Sequence, residues 1–252
     1  MADIAGNYSI DGAGLIEEAD VAASTDRYAK RFAGATGTWM ISVQTDAIRS
    51  LLSDRPVKEV LDVGGGHGQV CPPLLDLGYR VIARVSGPKA MGRLLEIPNE
   101  NGRFAISQGS LTAMPYPDRS FDAVVSMRTM SHVRDPKGFL AELCRVSRDT
   151  VIIDLALDRG RGRFGLMLFA LKKLLEGDTR RYALADPDEI AAVLAAEGFE
   201  VTGQVGQFVL PMVLHRTLRM AGLSAALERV LRRFSKTAGN PVVLRAVRRR
   251  AT

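Results

Sequence analysis

The chain has 252 residues, 46% of them hydrophobic and 25% charged, enough to bury a full core in one elaborated domain. Its opening, MADIAGNYSIDG, lacks the basic start and apolar run of a secretory signal, and no uncharged apolar stretch reaches membrane-spanning length, so a soluble, cytoplasmic protein is expected. The net charge of +6 is uneven: from His215 onward ten Arg or Lys face Glu228 alone, a local +9 that leaves −3 over residues 1–214. Cys71 and Cys144 lie far apart, and His67, His132 and His215 show no ligand spacing with them, which argues for buried free thiols and no metal site.

Residues 1–24 are small, polar and acidic without sustained period, and read as a flexible arm ahead of a single domain over 25–252. Helical pattern begins near Thr25, with Tyr28, Phe32, Trp39, Ile41, Ile48 and Leu51 on inner faces and Gly34 and Gly37 punctuating two helices. From Val57 short apolar runs alternate with longer amphipathic ones, predicting strands at 58–63, 80–85, 103–107, 122–126 and 150–155 in a core over 57–155. A basic, apolar-rich insert follows over 156–184. The next helix is well marked: Asp186 caps it, Pro187 suits its first turn, Glu189 completes a capping box and Gly198 ends it.

A strand at 199–209, a helical stretch from Met212 to Lys236 divided near Gly222 and Ser224, and a strand at 241–247 close the C-terminal unit over 186–248. Seven strands in this order predict an α/β fold with a doubly wound, mostly parallel sheet, N-terminal helices, and helical inserts over the cleft.

The most informative stretch is VLDVGGGHG, Val60 to Gly68, where a predicted strand runs into four glycines in five positions and then an apolar helix with Val70, Leu74, Leu75 and Leu77. Side chains removed at a strand-to-helix turn let backbone amides approach a ligand and present the helix N-terminus to it, which implies a nucleotide-like cofactor. A nicotinamide fingerprint would need G-x-G-x-x-G and an acid about twenty residues on. Here Gln69 takes the sixth position and the second predicted strand ends Ala83-Arg84-Val85-Ser86, so that reading is weakened twice.

Three blocks resemble the class I S-adenosylmethionine methyltransferases, in the small-molecule branch that includes ubiquinone and menaquinone biosynthesis enzymes (the type 11 methyltransferase domain). VLDVGGGHG is similar to the first cofactor motif, which implies that Asp62, Gly64, Gly65, Gly66 and Gly68 frame the methionine part of S-adenosylmethionine. Gly109 to Asp122 resembles the adenine loop, placing Ser110 and Leu111 on the adenine side. The stretch VVSMRTMSHVRDPKGFLAELCRVSRD resembles the active-site end of the fourth core strand, placing Met127 and Arg128 near the cofactor. Two departures stand out: the family's ribose-holding acid at the end of the second core strand is replaced by Val85 and Ser86, leaving Ser86 on the ribose side, and the acid of the adenine loop is replaced by Ser110.

Methyl transfer is an in-line displacement at an activated sulfonium, so alignment in a water-poor pocket is the minimum requirement, with a general base needed only for an acceptor of high pKa. His132, past the fourth core strand, is the candidate base; packing beside the cofactor is the competing reading. Met130 reads as packing, and Asp135 with Pro136 as a helix start. Asp154 and Asp158 face the cleft or are ordinary strand-end acids.

The insert joins an apolar helix to Lys172, Lys173, Arg180 and Arg181, either roofing the cleft for a hydrophobic, anionic acceptor or packing on the N-terminal helices. Near the C-terminus Leu223, Leu227, Val230, Leu231 and Phe234 fall at helical spacing beside Arg229, Arg232, Arg233 and Lys236, a pattern suited to peripheral contact with an anionic membrane or to an ordinary surface helix. Arg248-Arg249-Arg250 adds charge without any recognised nucleic-acid motif. The expected function is methylation of oxygen, nitrogen or carbon on a lipid-like, quinone-like or secondary metabolite. The alternative is a non-catalytic binding or scaffold module with the same fold.

Overall fold

The strand segments VLDV, VIARV, FAIS, AVVS and VIIDL are apolar almost end to end, as strands covered on both faces must be. The computed structural model describes residues 8–10, 19–99, 101–156, 186–234 and 239–250. Among them the strands are β1 (Tyr8–Ile10), β2 (Glu59–Val63), β3 (Arg80–Val85), β4 (Phe104–Gln108), β5 (Phe121–Ser126), β6 (Ser147–Leu155), β7 (Phe199–Gly206) and β8 (Val242–Arg248). They form one sheet in the order β1-β4-β3-β2-β5-β6-β8-β7. The pairs from β1 to β6 are parallel, while β8 runs antiparallel to β6 and β7. The strand order reverses at β2, which has β3 on one side and β5 on the other, and doubly wound sheets bind ligands in the crevice opened at such a point.

The helices are α1 (Asp26–Ala29), α2 (Gly34–Leu52), α3 (Cys71–Asp76), α4 (Pro136–Val146), α5 (Pro187–Ala196), α6 (Met212–Leu218) and α7 (Ala221–Phe234). The two-residue period of the strands divides the core between two faces. Leu61, Val63, Val124, Val151 and Ile153 pack with Phe139, Leu140 and Leu143 of α4 and Ile190 and Leu194 of α5. Val60, Val81, Val85, Val125 and Ile152 pack with Ile48, Leu51 and Leu52 of α2 and Leu74 of α3. Both cysteines are buried and unpaired.

The seven expected strands are all present, and the largest boundary errors are at β6, which starts three residues early, and β7, which stops at Gly206. Asp186 caps α5 by accepting from the Asp188 amide at 3.0 Å, but Glu189 pairs with Lys137 at 3.2 Å, so the capping box is half made. The helical stretch after Met212 breaks at Arg219, which takes a left-handed φ of 51°, while Gly222 and Ser224 lie inside α7. Within residues 1–24, read from sequence as a flexible arm, Tyr8–Ile10 adds an eighth strand to the β4 edge, and Ala19, Asp20 and Ala23 are buried. Asp158 and the insert from Arg159 to Arg181 lie outside the described residues.

The helix pair α6–α7 is tied down by one carboxylate. Glu228, 4% exposed, accepts from the Val209 and Leu210 amides at 2.9 Å each and pairs with His215 Nε2 at 3.0 Å, under the rings of Trp39 and Phe208. Glu228→Ala should cost about 2–4 kcal/mol, because the buried His215 and two half-buried amides lose their acceptor together. The urea unfolding midpoint measures this, and a change under about 0.5 kcal/mol would mean water replaces the carboxylate at no loss.

Candidate active site

Asp62 is the fourth residue of β2, and its side chain turns into the glycine loop instead of either core face. It is fully buried: Oδ2 accepts from the Cys71 thiol at 3.2 Å, whereas Oδ1 has no hydrogen-bond partner among the described residues. Burial pushes its pKa up to about 7, opposed by the Cys71 bond and the Arg128 charge. A buried acceptor without a donor costs roughly 1–3 kcal/mol, so this atom is a place where a cationic or donor ligand would be favoured.

The glycines of the loop make room first for the protein's own side chains. A Cβ on Gly65 would sit 2.0 Å from Asp62 Oδ2, one on Gly64 2.3 Å from Thr129 Oγ1, and one on Gly66 2.3 Å from Ser24 Oγ. Gly64 and Gly68 also carry φ of +76° and +66°, a region costly for any side chain. The helix after the loop starts at Cys71, three positions beyond Gly68, and has six residues.

Arg128 follows β5 with φ +61°, unusual outside glycine. Its amide donates to Asp154 Oδ1 at 2.6 Å, which fixes the turn. Its guanidinium donates to Gln69 Oε1 at 2.6 Å, lies 3.2 Å from His67 Nδ1 and stacks 4.8 Å from the Phe32 ring centre, with Tyr28 at 5.9 Å. His67 Nδ1 also accepts from the Gln69 amide, so its proton sits on Nε2, facing the Met127 carbonyl at 3.3 Å. Burial and the adjacent Arg128 hold His67 neutral, well below its usual pKa. Asp154 is raised to about 6, chiefly by burial.

The other sequence candidates fall at the same strand ends with different jobs. Ser110 Oγ accepts from the Thr112 and Ala113 amides at 3.2 and 3.0 Å, so it shapes its own loop. Leu111 and Met127 bury their side chains completely. The Ser110 carbonyl is gripped by Arg84, a fully buried arginine that also donates to Ser107 Oγ and the Gln108 carbonyl. Ser86 ends β3 beside the loop, since the neighbouring Arg84 carbonyl accepts from the Gly64 amide. His132 sits half-buried in the short helical turn Met130–His132.

Sequence reasoning missed Asp20, His67 and Thr129 as site residues. Asp20 left no signal, being one of several acids in an aperiodic segment, whereas His67 lies within the glycine motif itself. A cleft of about 250 Å³ opens between α4, α5, the turn after β5 and the end of β6, lined by Met130, Ser131, Leu140, Leu155, Ile190 and Val193 together with charged residues.

The methyltransferase domain family matches residues 61–153, the stretch from the glycine loop to the end of β6. A ubiquinone biosynthesis O-methyltransferase of Rhizobium etli is 27% identical over 173 residues, 65% of this chain and 69% of that protein. A demethylmenaquinone methyltransferase of Tropheryma whipplei is 30% identical over 182 residues, covering 64% and 74%. Among solved structures, a magnesium protoporphyrin IX methyltransferase from Synechocystis with bound S-adenosylhomocysteine shares the fold with a TM-score of 0.60 at 16% identity, over 89% of this chain and 94% of that one. With the glycine loop, its buried acid and the strand-end crevice in place, the chain belongs to the class I S-adenosylmethionine-dependent methyltransferases, in the branch of the ubiquinone and menaquinone enzymes.

Proposed function

We propose that this methyltransferase acts on oxygen, nitrogen or carbon of a hydrophobic, quinone-like or lipid-like small molecule. The observation that carries the reading is a pair of ionisable groups, Asp62 and Arg128, on neighbouring strand ends and close enough for the Arg128 charge to oppose the rise in the Asp62 pKa, with an apolar cleft that begins at Met130, two residues beyond Arg128. An acid with one oxygen, and a guanidinium with its Nε, without a partner among the described residues suit the ammonium and carboxylate of an amino-acid tail. The residues present therefore fit S-adenosylmethionine, which when bound supplies an activated methyl on sulfur. Asp154 holds the Arg128 turn, and the rings of Phe32 and Tyr28 stack against its half-buried guanidinium.

Met130 and Ser131 line the apolar cleft, and His132, the next residue of the same helical turn, is the proposed base where the acceptor needs one. The relatives named for ubiquinone and demethylmenaquinone methylation are compatible with an acceptor of this kind. The comparisons favour an enzyme over the scaffold alternative.

Peripheral membrane contact is also part of the reading, and α7 supports it. Its inward positions, Ser224 and Glu228, are polar, while Met220 just before it and Leu223, Leu227 and Val230 are 37–56% exposed. Arg219, Arg229 and Arg233 are exposed alongside. An apolar stripe turned outward between cations suits an anionic bilayer surface. Arg216 of α6 stacks 5.5 Å from Phe32, so this helix pair adjoins the site mouth. Arg248 contributes nothing to such a surface: it donates to the Cys144 and Ser147 carbonyls and stacks on Phe199. No helix among the described residues is long and apolar enough to cross a membrane.

Three measurements test this. In the ligand-free protein, Asp62 titrates near 7 when folded against about 3.9 when unfolded, so its contribution to stability is full below about pH 4 and is lost as pH rises to about 7. Asp62→Asn should flatten that part of the stability profile and raise the melting midpoint at pH 8; an unchanged profile would show that Asp62 is not the titrating group. Isothermal titration with S-adenosylhomocysteine should show affinity rising with pH toward a plateau above about 7, with proton release near pH 6.5, and a loss of about tenfold or more in Asp62→Asn. Absence of binding by the wild-type protein would defeat the cofactor assignment. For the membrane contact, vesicles rich in phosphatidylglycerol should co-sediment the protein and phosphatidylcholine vesicles should not, with Leu223→Ser/Leu227→Ser/Val230→Ser abolishing capture; capture unaffected by those changes would reject α7 as the contact.

A further inference from the structure

The end of β3 raises a specific question, because the sequence offers no acid there. Asp20, separated from Ser86 by 66 positions, supplies one from outside the strand: its carboxylate accepts from the Ser86 amide at 2.9 Å and from Ser86 Oγ at 2.5 Å. Asp20 is 1% exposed. The same segment continues over the glycine loop, where Ser24 Oγ donates to the Asp20 carbonyl at 2.8 Å and lies against Gly66. Residues 22–24 pack on the turn at Pro88–Ala90 that follows Ser86. A carboxylate is thus delivered to the strand end adjacent to β2, at the lip of the crevice. In doubly wound nucleotide-binding folds that is where an acid takes the ribose hydroxyls.

We propose that Asp20, held by Ser86, is the residue that binds the ribose diol of the cofactor. The inference rests on the cofactor assignment above and adds to it a residue outside the matched family region of 61–153. A carboxylate offers about four acceptor positions, so the two bonds from Ser86 tether Asp20 without by themselves exhausting it. The arrangement also explains the substitution on the strand: an acid at position 86 would meet Asp20 as a like charge in a buried place, and serine instead donates to it. The N-terminal segment is therefore part of the cofactor site, and it covers the loop in the same stroke.

The test is isothermal titration of the full chain with S-adenosylhomocysteine and with its 2′-deoxy and 3′-deoxy analogues. Asp20→Asn, which keeps shape and removes charge, should weaken S-adenosylhomocysteine by about tenfold while weakening the deoxy analogues by less than about threefold. Because any loss of folded protein scales both ligands alike, the ratio survives a partly destabilised variant. Asp20→Ala should lose binding similarly, and Asp20→Ala/Ser86→Asp, with the acid moved onto the strand, should recover most of it. Equal losses for all ligands, or unchanged or tighter binding by Asp20→Asn, would overturn the inference while leaving the cofactor assignment intact. No binding by the wild-type chain would bring down the cofactor assignment first.

Discussion

The burial of the Asp62 carboxylate inside its own glycine loop is the constraint on which the site depends. An isolated carboxylate removed from water is expensive, and among the described residues only the Cys71 thiol donates to it. The loop must then be nearly bare: Gly65 has no room for a Cβ beside the carboxylate, and Gly64 gives way to Thr129. Neutralisation by a proton offsets the cost in the empty protein, which is what a pKa near 7 expresses. A cation from a ligand can do the same while leaving the carboxylate charged. Folding and ligand binding thus act on one atom.

Around this acid the charges are arranged in a chain. Asp154 fixes the backbone of Arg128, Arg128 faces Asp62 and keeps His67 neutral, and His67 links Gln69 to the Met127 carbonyl. The glycine loop is thereby joined across β2 and β5, at the place where the strand order reverses. The aromatic cover comes from α1 and the turn after it, and α6 reaches the same cover through Arg216. Elements far apart in sequence close over one strand end.

The sheet was legible because its strands are buried on both faces and bounded by clear helix caps, as at Asp135, whose side chain accepts from the Gly138 amide as expected. The glycine loop was legible because few turns need four glycines, although the structure assigns several of them to protein neighbours in addition to any ligand. What could not be read were contacts without local pattern. Asp20 reaches Ser86 across 66 positions, and Arg84 spends its charge on backbone carbonyls of the adenine-side loop. Ser110, expected on the adenine side, also accepts from two amides of its own turn, a role with no local sequence signature. At the C-terminus the arginines read as one basic cluster, yet Arg245 and Arg248 bind Leu51, Cys144 and Ser147 carbonyls inside the fold, and only part of the cluster reaches solvent.

The most direct measurement is a crystal structure of the full chain with S-adenosylhomocysteine. The account predicts the ligand ammonium against Asp62 Oδ1, its carboxylate toward Arg128, and its ribose hydroxyls on Asp20 with the Ser86 tether intact. Ligand density elsewhere, or an Asp62 that keeps its oxygen unpartnered in the complex, would contradict it.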